Sequence, residues 1–394
     1  MSSILQNNIW KYNLFYVLRN IWFFTPIYVL FMQENGLNLT QIMILQSLFA
    51  ICIVVFEVPT GYFADAYGRK NSLVFGSMLA FVGLTIYAIG HNFWMFLVAE
   101  LIIAVALSLL SGADSALFYD TLKAAKREGQ YKKLWGHALF LGLIALAVAD
   151  IIAGFIGSYN YRWAFYATLP FALLLIPVAL SLREPPRHKA VIEKGYAKDI
   201  LTTVRQTLKN VKLRWLMIYA ALTFGFFNAS LWLYQPYFQL SGIAVVYFGF
   251  IFAAFQVIAA VSSKYAHKIE KHIGEWRSFI MMTVLVGVSY LFMSWFVFAF
   301  SFIFAFMQQF IRGIYGPIIS DYVNKLTTSD IRATVLSVHS MFNRLAYASL
   351  IPFLGWIADV YTVVQALTVL GVTTLVVGGC MLVVLHKNNV ITTS

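Results

Sequence analysis

Charge is scarce in this 394-residue chain: Asp, Glu, Lys and Arg together make up 11%, where an ordinary soluble domain carries about 25%. So little charge cannot cover a soluble surface of this size, and hydrophobic residues fill 61% of the sequence. Acids are the rarer sign, 16 against 28 lysines and arginines. Cysteine is nearly absent. Cys52 and Cys380 lie in separate apolar runs, too few for a disulfide framework and without metal-ligand spacing, so they read as small core hydrophobes. The seven histidines are scattered, with no pair three or four residues apart, which argues against a resident metal or a clustered catalytic centre. There is no phosphate loop of the Walker type, which argues against direct ATP drive. These absences exclude a soluble enzyme, a disordered chain and a fibrous repeat. They leave a polytopic membrane protein with no expected cofactor.

What is present is a series of long apolar runs. A membrane-spanning helix needs about 20 mostly apolar residues. Twelve runs qualify, near 10–32, 40–64, 71–90, 93–118, 134–157 and 162–182, then 214–236, 243–262, 278–297, 299–321, 333–358 and 361–385. They are about twice the length of a barrel strand and lack its alternation. The expected fold class is therefore an all-α polytopic membrane protein of twelve transmembrane helices. The first run is expected to be a span rather than a leader, because it is too long for a signal-peptide core and no small-residue cleavage site follows.

Basic residues orient the spans. Of the 28 lysines and arginines, 24 fall in alternate inter-helix segments and termini, and Arg162 stands alone in a loop of the other set. The excess of basic charge on cytoplasmic loops puts both termini in the cytoplasm. The net charge of +12 is this bias, and no nucleic-acid partner is implied. The longest polar stretch runs from Arg183 to Arg214. Glu184-Pro185-Pro186 ends the sixth helix, and Ala197, Leu201, Val204, Leu208 and Val211 then make one apolar face, as in a short helix lying on the membrane surface. The expected organisation is a six-helix bundle over 1–182, a cytoplasmic linker with that amphipathic helix over 183–212, and a second bundle over 213–394. The halves echo each other. Gly68 and Ser72 match Gly274 and Ser278, and Gly112 with Asp120 matches Gly316 with Asp321.

One motif is specific. Gly61-Tyr62-Phe63-Ala64-Asp65-Ala66-Tyr67-Gly68-Arg69-Lys70 lies at the short turn between the second and third spans. In a twelve-span chain, this pattern resembles the signature of the major facilitator superfamily. The local chemistry of the motif follows from its residue types. Gly61 lets a neighbouring helix come close, Gly68 permits a tight turn, and Asp65 suits a helix N-terminus or Arg69. The resemblance implies two pseudo-symmetric six-helix bundles, alternating access to a central site, and a cytoplasmic gate made of Gly61, Asp65, Gly68, Arg69 and Lys70. In the second half, Lys271 and Glu275 replace Asp65 and Arg69 with swapped charge, so the gate is expected to be asymmetric. Asp120 and Asp321, at the inner ends of the fourth and tenth helices, are inner-gate candidates, with Arg127 and Arg332 as their expected partners.

Ionisable groups at bilayer depth are costly and mark a cavity or an ion pair. Arg19, Arg312 and Arg344 fall roughly 13–20 Å from the nearer surface at 1.5 Å per residue. Glu57, Glu100, Asp114 and Asp150 also fall within spans. These four acids are the proton-coupling candidates, with Glu100 and Asp150 leading, because a buried carboxyl tends to hold its proton unless a cation compensates it. The substrate-cavity candidates are Arg19, Arg312, Arg344, Gln308, Gln309 and Asn343. Arginines in pairing reach of a ligand suit an anionic group. Phe24, Trp232, Tyr234 and Gln235 are further candidates for lining the cavity.

The expected function is secondary active transport of a small organic solute, not an enzyme activity, with protons as co-substrate and export as the favoured direction. An uptake symporter of the same fold is the alternative within the class. A non-transporting receptor or a polytopic membrane enzyme is the alternative outside it. The expected setting is a bacterial inner membrane, with the lipid bilayer as the surrounding partner and a monomer as the working unit. Typical drug–proton antiporters have a Gly-Pro pattern in the fifth helix and an arginine in the fourth. This chain lacks the first and has Glu100 at about the place of the second.

Overall fold

The computed structural model describes residues 2–185 and 207–391 apart from 329 and 330, with 202, 204 and 205 between them. Ala197 and Leu201 of the expected surface helix, and most of the linker, lie outside the described residues. The described chain is helical, with no strand among those residues. Its helices are α1 (Ser2–Arg19), α2 (Tyr28–Glu34), α3 (Leu39–Tyr67), α4 (Arg69–Ile89), α5 (Phe93–Leu110), α6 (Ala113–Ala124), α7 (Tyr131–Tyr159) and α8 (Tyr161–Ser181). After the linker come α9 (Val211–Ala229), α10 (Tyr234–Leu240), α11 (Phe248–Ile273), α12 (Glu275–Trp295), α13 (Ala305–Lys325), α14 (Arg332–Val360) and α15 (Val363–Lys387).

Ten helical stretches among the described residues are long and apolar enough to cross a membrane. The other two expected spans are α1 with α2, which is interrupted, and α14, whose 29 residues include His339, Asn343, Arg344 and Asp359. Three runs expected to be continuous helices are broken. The first stops at Arg19 and resumes through a 3₁₀ turn at Thr25–Ile27. Pro26 supplies no N–H there and disfavours helix at the residue before it. The seventh passes through a 3₁₀ turn at Ser230–Trp232, just ahead of Pro236 in α10. The fourth breaks at Ser111-Gly112, where Gly112 has φ +74°.

The chain forms two compact units. One comprises Met1–Leu37, Ile51–Lys194 and Val245–Ala253, and the other Asn38–Ala50, Gly195–Ala244 and Ala254–Ser394. These units follow the two sequence halves except for two short segments, 38–50 and 245–253. Within the first, α4 packs on α5 and α8, and α1 packs on α7. Within the second, α12 packs on α13 and α15, and α9 packs on α14. This is the same pattern of third with fourth and sixth, and first with fifth.

The turns repeat as well. Gly68 and Gly274 stand before α4 and α12 with φ of +112° and +90°. In each, the serine four residues on donates its N–H back to the glycine carbonyl at 3.1 Å. The structure adds a second pair. Gly36 and Gly242 end α2 and α10 with φ of +84° and +78°. Leu37 N–H donates to the Met32 carbonyl (3.1 Å) and Ile243 N–H to the Phe238 carbonyl (3.0 Å), the same Schellman cap at both places. Gly36 and Gly242 are separated by the same number of positions as Gly68 and Gly274, as a tandem duplication requires.

Each unit carries a matching close approach. In the first, Gly154 of α7 faces the carbonyl of Val246 and the backbone of Gly249, and a Cβ on Gly249 would collide with the Asp150 carbonyl. In the second, a Cβ on Gly355 of α14 would meet the Leu39 carbonyl and Thr40 Cα, both at 2.8 Å. Arg162 braces the first unit near α2, α4 and α8. Its guanidinium donates to the carbonyls of Ala88 (2.7 Å) and Gly90 (2.8 Å) and to Asn35 Oδ1 (2.5 Å), and lies 5.1 Å from the Phe31 ring centre.

Candidate functional site

The membrane-depth charges sort by what they touch. Asp114 is not in mid-helix, as expected, but in the first turn of α6, directly after the Gly112 break. Arg19 Nη1 donates to its Oδ2 at 2.6 Å, and Ser115 N–H donates to its Oδ1 at 2.6 Å. A guanidinium and a helix N-terminus both favour the ionised acid. This pair therefore anchors α1 to α6. Arg312 donates to Gln256 Oε1 at 2.6 Å.

Glu100 has different surroundings. It is 4% exposed within α5. The Tyr28 hydroxyl donates to its Oε1 at 2.6 Å, and the Tyr28 and Tyr87 hydroxyls lie 3.0 Å apart. Hydroxyls rotate and both donate and accept, so this pair of tyrosines can serve either the charged or the protonated carboxyl. Asp150 is fully buried in α7, where Gly249 approaches. Glu57 lies partly buried in α3.

At the motif turn, Arg69 pairs with Asp120 and also donates to the Ala116 carbonyl at 2.9 Å. The expected partner, Arg127, instead holds Gln130 Oε1 at 2.7 and 3.1 Å. The carboxylate on the N-terminus of α4 is Glu184, which accepts from Arg69 N–H (3.0 Å) and Lys70 N–H (2.7 Å). Asp65 of the motif is itself exposed. In the second unit, Asp321 pairs with Lys325 at 2.9 Å rather than with Arg332, and Lys325 also reaches Glu275 at 3.6 Å. The swapped charge of Glu275 thus keeps an ion pair at the equivalent turn with the signs reversed.

Gln308 is a structural hub rather than an open cavity amide. It is fully buried, accepts from Ser230 Oγ (2.8 Å) and from the Tyr234 hydroxyl, and donates to Ser289 Oγ (2.9 Å). Gln309 donates to the Tyr234 hydroxyl at 3.1 Å. Asn343 Oδ1 accepts from the Tyr315 hydroxyl at 3.2 Å. Phe24 packs face to face with Phe165, their centres 4.6 Å apart.

Arg344 lines a cavity of about 140 Å³ in the second unit. Phe49, Phe224, Trp232 and Tyr347 supply its aromatic walls, and Gln46 and Asn228 supply amides. Trp232 Nε1 donates to the Tyr347 hydroxyl at 2.5 Å, which fixes the two rings against each other. Arg344 and Trp232 are legible from the sequence as cavity residues. Gln46, Asn228 and Tyr347 join them only in the fold, although an amide inside an apolar run is itself a signal, since it needs a polar partner in lipid.

An all-helical membrane protein of repeated helix bundles, with a polar, aromatic-walled cavity at helix mid-length, is the architecture of a solute carrier. The Major Facilitator Superfamily model matches residues 14–351, and the chain belongs to that family of membrane transporters. It is 25% identical over 333 residues to the uncharacterized MFS-type transporter YxaM of Bacillus subtilis, covering 80% of each chain. It is 25% identical over 240 residues to the class H tetracycline resistance protein of Pasteurella multocida, covering 58% of each. The crystal structure of the nucleoside transporter NupG superposes with a TM-score of 0.82 at 13% identity, covering 97% of this chain and 98% of that one. The last comparison concerns the fold.

Proposed function

We propose that this protein is a proton-coupled exporter of a small organic solute. It works by alternating access as a monomer in a bacterial inner membrane, with both termini in the cytoplasm. The observation that carries the coupling is Glu100, a carboxyl buried among neutral hydroxyl donors. Neither Tyr28 nor Tyr87 imposes a fixed protonation state on it, since a hydroxyl serves the acid and the anion alike. Asp114 is the opposite case, paired with Arg19. The candidates thus separate into one group suited to loading and releasing a proton and one suited to anchoring. Export is supported by the likeness to a tetracycline resistance protein, and the orientation by the one-sided placement of basic residues.

The test uses everted membrane vesicles acidified by respiration, with a dye that reports the pH gradient. Adding tetracycline or a panel of organic acids should collapse part of the gradient in the wild type. E100Q should lose that response while still exchanging labelled for unlabelled solute. A wild-type response in E100Q would remove Glu100 as the proton site. Wild-type flux indifferent to the gradient would remove coupling altogether.

A further inference from the structure

The two units carry the same hydrogen-bonded arrangement at equivalent places, with an acid in one and an amide in the other. We infer that ionised Glu100 holds the helix restart in the first span through the Tyr28 hydroxyl and loosens it when protonated, whereas Gln308 holds the matching restart in the seventh span at every pH. The inference rests on the reading of Glu100 as the proton-carrying group. It deepens that reading by naming Tyr28 as the positioning residue through which the proton acts on the backbone.

The match is one of position as well as chemistry. Tyr28 and Tyr234 are the first residues of α2 and α10, the short helices that restart the two broken spans after a 3₁₀ turn. They are separated by the same offset as Gly36 and Gly242. Glu100 and Gln308 stand equally far from the starts of their helical stretches, Phe93 and Ser301. Each is buried, and each accepts from its tyrosine hydroxyl.

The surroundings differ as the two groups require. Gln308 accepts from Ser230 Oγ and Tyr234 through its carbonyl oxygen, and its amide donates to Ser289 Oγ and approaches Met293 Sδ at 3.5 Å. An amide has two donor hydrogens and one acceptor oxygen with two lone pairs, so Gln308 is fully used. It does not titrate, and its grip on Ser230 and Tyr234 is independent of pH. At the same offset, the first unit has Phe24 for Ser230, Gly83 for Ser289 and Tyr87 for Met293. The two serine hydroxyls are replaced by a ring and a bare backbone, and a tyrosine hydroxyl enters 3.0 Å from that of Tyr28. A hydrogen bond to an ionised acceptor is roughly twice as strong as one to a neutral acceptor. Ionisation of Glu100 therefore tightens the Tyr28 bond, and protonation relaxes it.

Tyr28 of α2 and Tyr87 of α4 face the carboxyl. On α3, Cys52 lies 3.9 Å from the Leu101 carbonyl and Thr60 donates to the Ser108 carbonyl, so Glu57 between them falls farther along α5 than Glu100. Arg162 of α8 is held by the Ala88 and Gly90 carbonyls, Asn35 and His91.

The experiment is amide hydrogen exchange by mass spectrometry on purified protein in nanodiscs. Peptides covering α2 and α10 are followed at acid and at alkaline pH, with rates corrected for chemical exchange. In the wild type, α2 should open about fivefold to tenfold more readily at acid pH, and α10 should not change. E100Q, whose amide stands in for the protonated acid, should keep α2 at the loose level at both pH values. Y28F should do the same with Glu100 in place, which keeps the test decisive if E100Q does not fold. Q308E should give α10 the pH dependence that α2 has in the wild type. A wild-type α2 indifferent to pH, a pH dependence that survives in E100Q or in Y28F, or a wild-type α10 that follows pH as α2 does would each overturn the inference. If α2 behaves as expected while E100Q still shows the solute-driven collapse of the pH gradient, the Tyr28 bond stands and Glu100 is not the coupling group. If E100Q loses that collapse and α2 ignores pH, coupling through Glu100 stands and Tyr28 does not transmit it.

Discussion

Asp359 is the residue whose removal should be felt furthest away in sequence. It sits in the last turn of α14, yet its carboxylate lies on the N-terminus of α3. Oδ1 accepts from Leu39 N–H at 3.0 Å, and Oδ2 accepts from Thr40 N–H at 2.7 Å and from the Thr40 hydroxyl at 2.5 Å. The helix supplies the rest of its own cap: Asn38 and Gln41 exchange backbone-to-side-chain bonds at 2.9 and 3.1 Å, a capping box. Asp359 therefore satisfies the two N–H groups that the box leaves over. A lost N-cap acceptor costs about 1 kcal/mol, and a negative charge at a helix N-terminus contributes about 0.3–1 kcal/mol when exposed. D359A should then loosen this end of α3 by about 1–2 kcal/mol, which is about a 5- to 30-fold change in an opening equilibrium. D359N keeps an acceptor as good as aspartate and loses only the charge, so it should change opening by about two- to fivefold. The assay is amide hydrogen exchange by mass spectrometry on a peptide covering residues 38–48, with the peptide around Gly274 as internal control. Exchange in D359A within twofold of wild type would refute the cap. Equal effects of D359A and D359N would show that the charge, and not the hydrogen bonds, holds the helix end.

Removing one partner of a largely buried ion pair leaves the other uncompensated and costs about 3–5 kcal/mol, so D114N should lower the unfolding temperature strongly, and R19Q/D114N should recover much of the loss. If D114N instead keeps its stability and loses pH-driven flux, Asp114 is a proton site and not an anchor. Gly249→Ala should fail to give folded protein, because its Cβ would meet the rigid Asp150 carbonyl in α7; normal yield and size-exclusion profile would contradict the close approach. Gly287→Ala should cost about 1–3 kcal/mol, since its Cβ would sit 2.5 Å from Leu375 Cγ, a side chain able to shift; this is read as a modest fall in unfolding temperature. D65N should slow conversion between states and spare ligand affinity, so a wild-type transport rate in D65N would remove Asp65 from the gate.

The helices are legible because lipid imposes a length and a composition on each span, and both can be counted along a sequence. The breaks are less legible. Pro26 and Pro236 lie where a helix must restart, but a proline in a membrane span often kinks a helix without ending it, as Pro59 inside α3 shows. Gly112 reads like any helical glycine in the sequence, and the break between α5 and α6 shows only in the backbone, with Ser111 extended and Gly112 at positive φ. The matched caps at Gly36 and Gly242 are within reach of the sequence. Their separation equals that of Gly68 and Gly274, so one fixed offset along the chain finds both pairs and strengthens the case for duplication.

Partners are the part that sequence reasoning misses, and the reason is geometric. Spacing along one helix gives depth, and successive residues differ by about 100° around the axis, but only packing decides which neighbouring helix a given face meets. Arg19 and Arg344 are equivalent on depth alone. One faces α6, where the Gly112 break presents Asp114 on a helix N-terminus; the other faces a cavity with aromatic walls. Glu100 and Asp114 divide in the same way, one among tyrosine hydroxyls and the other under a guanidinium. Nearness in sequence suggests Arg127 for Asp120, whereas the turn at Gly68 folds Arg69 onto Asp120 from another helix. A charge in a membrane helix is therefore best read by asking which break or turn lies at the same depth on the adjoining helix. Breaks expose backbone N–H groups and admit side chains that intact helices exclude. By that rule the Gly112 break pairs with Arg19.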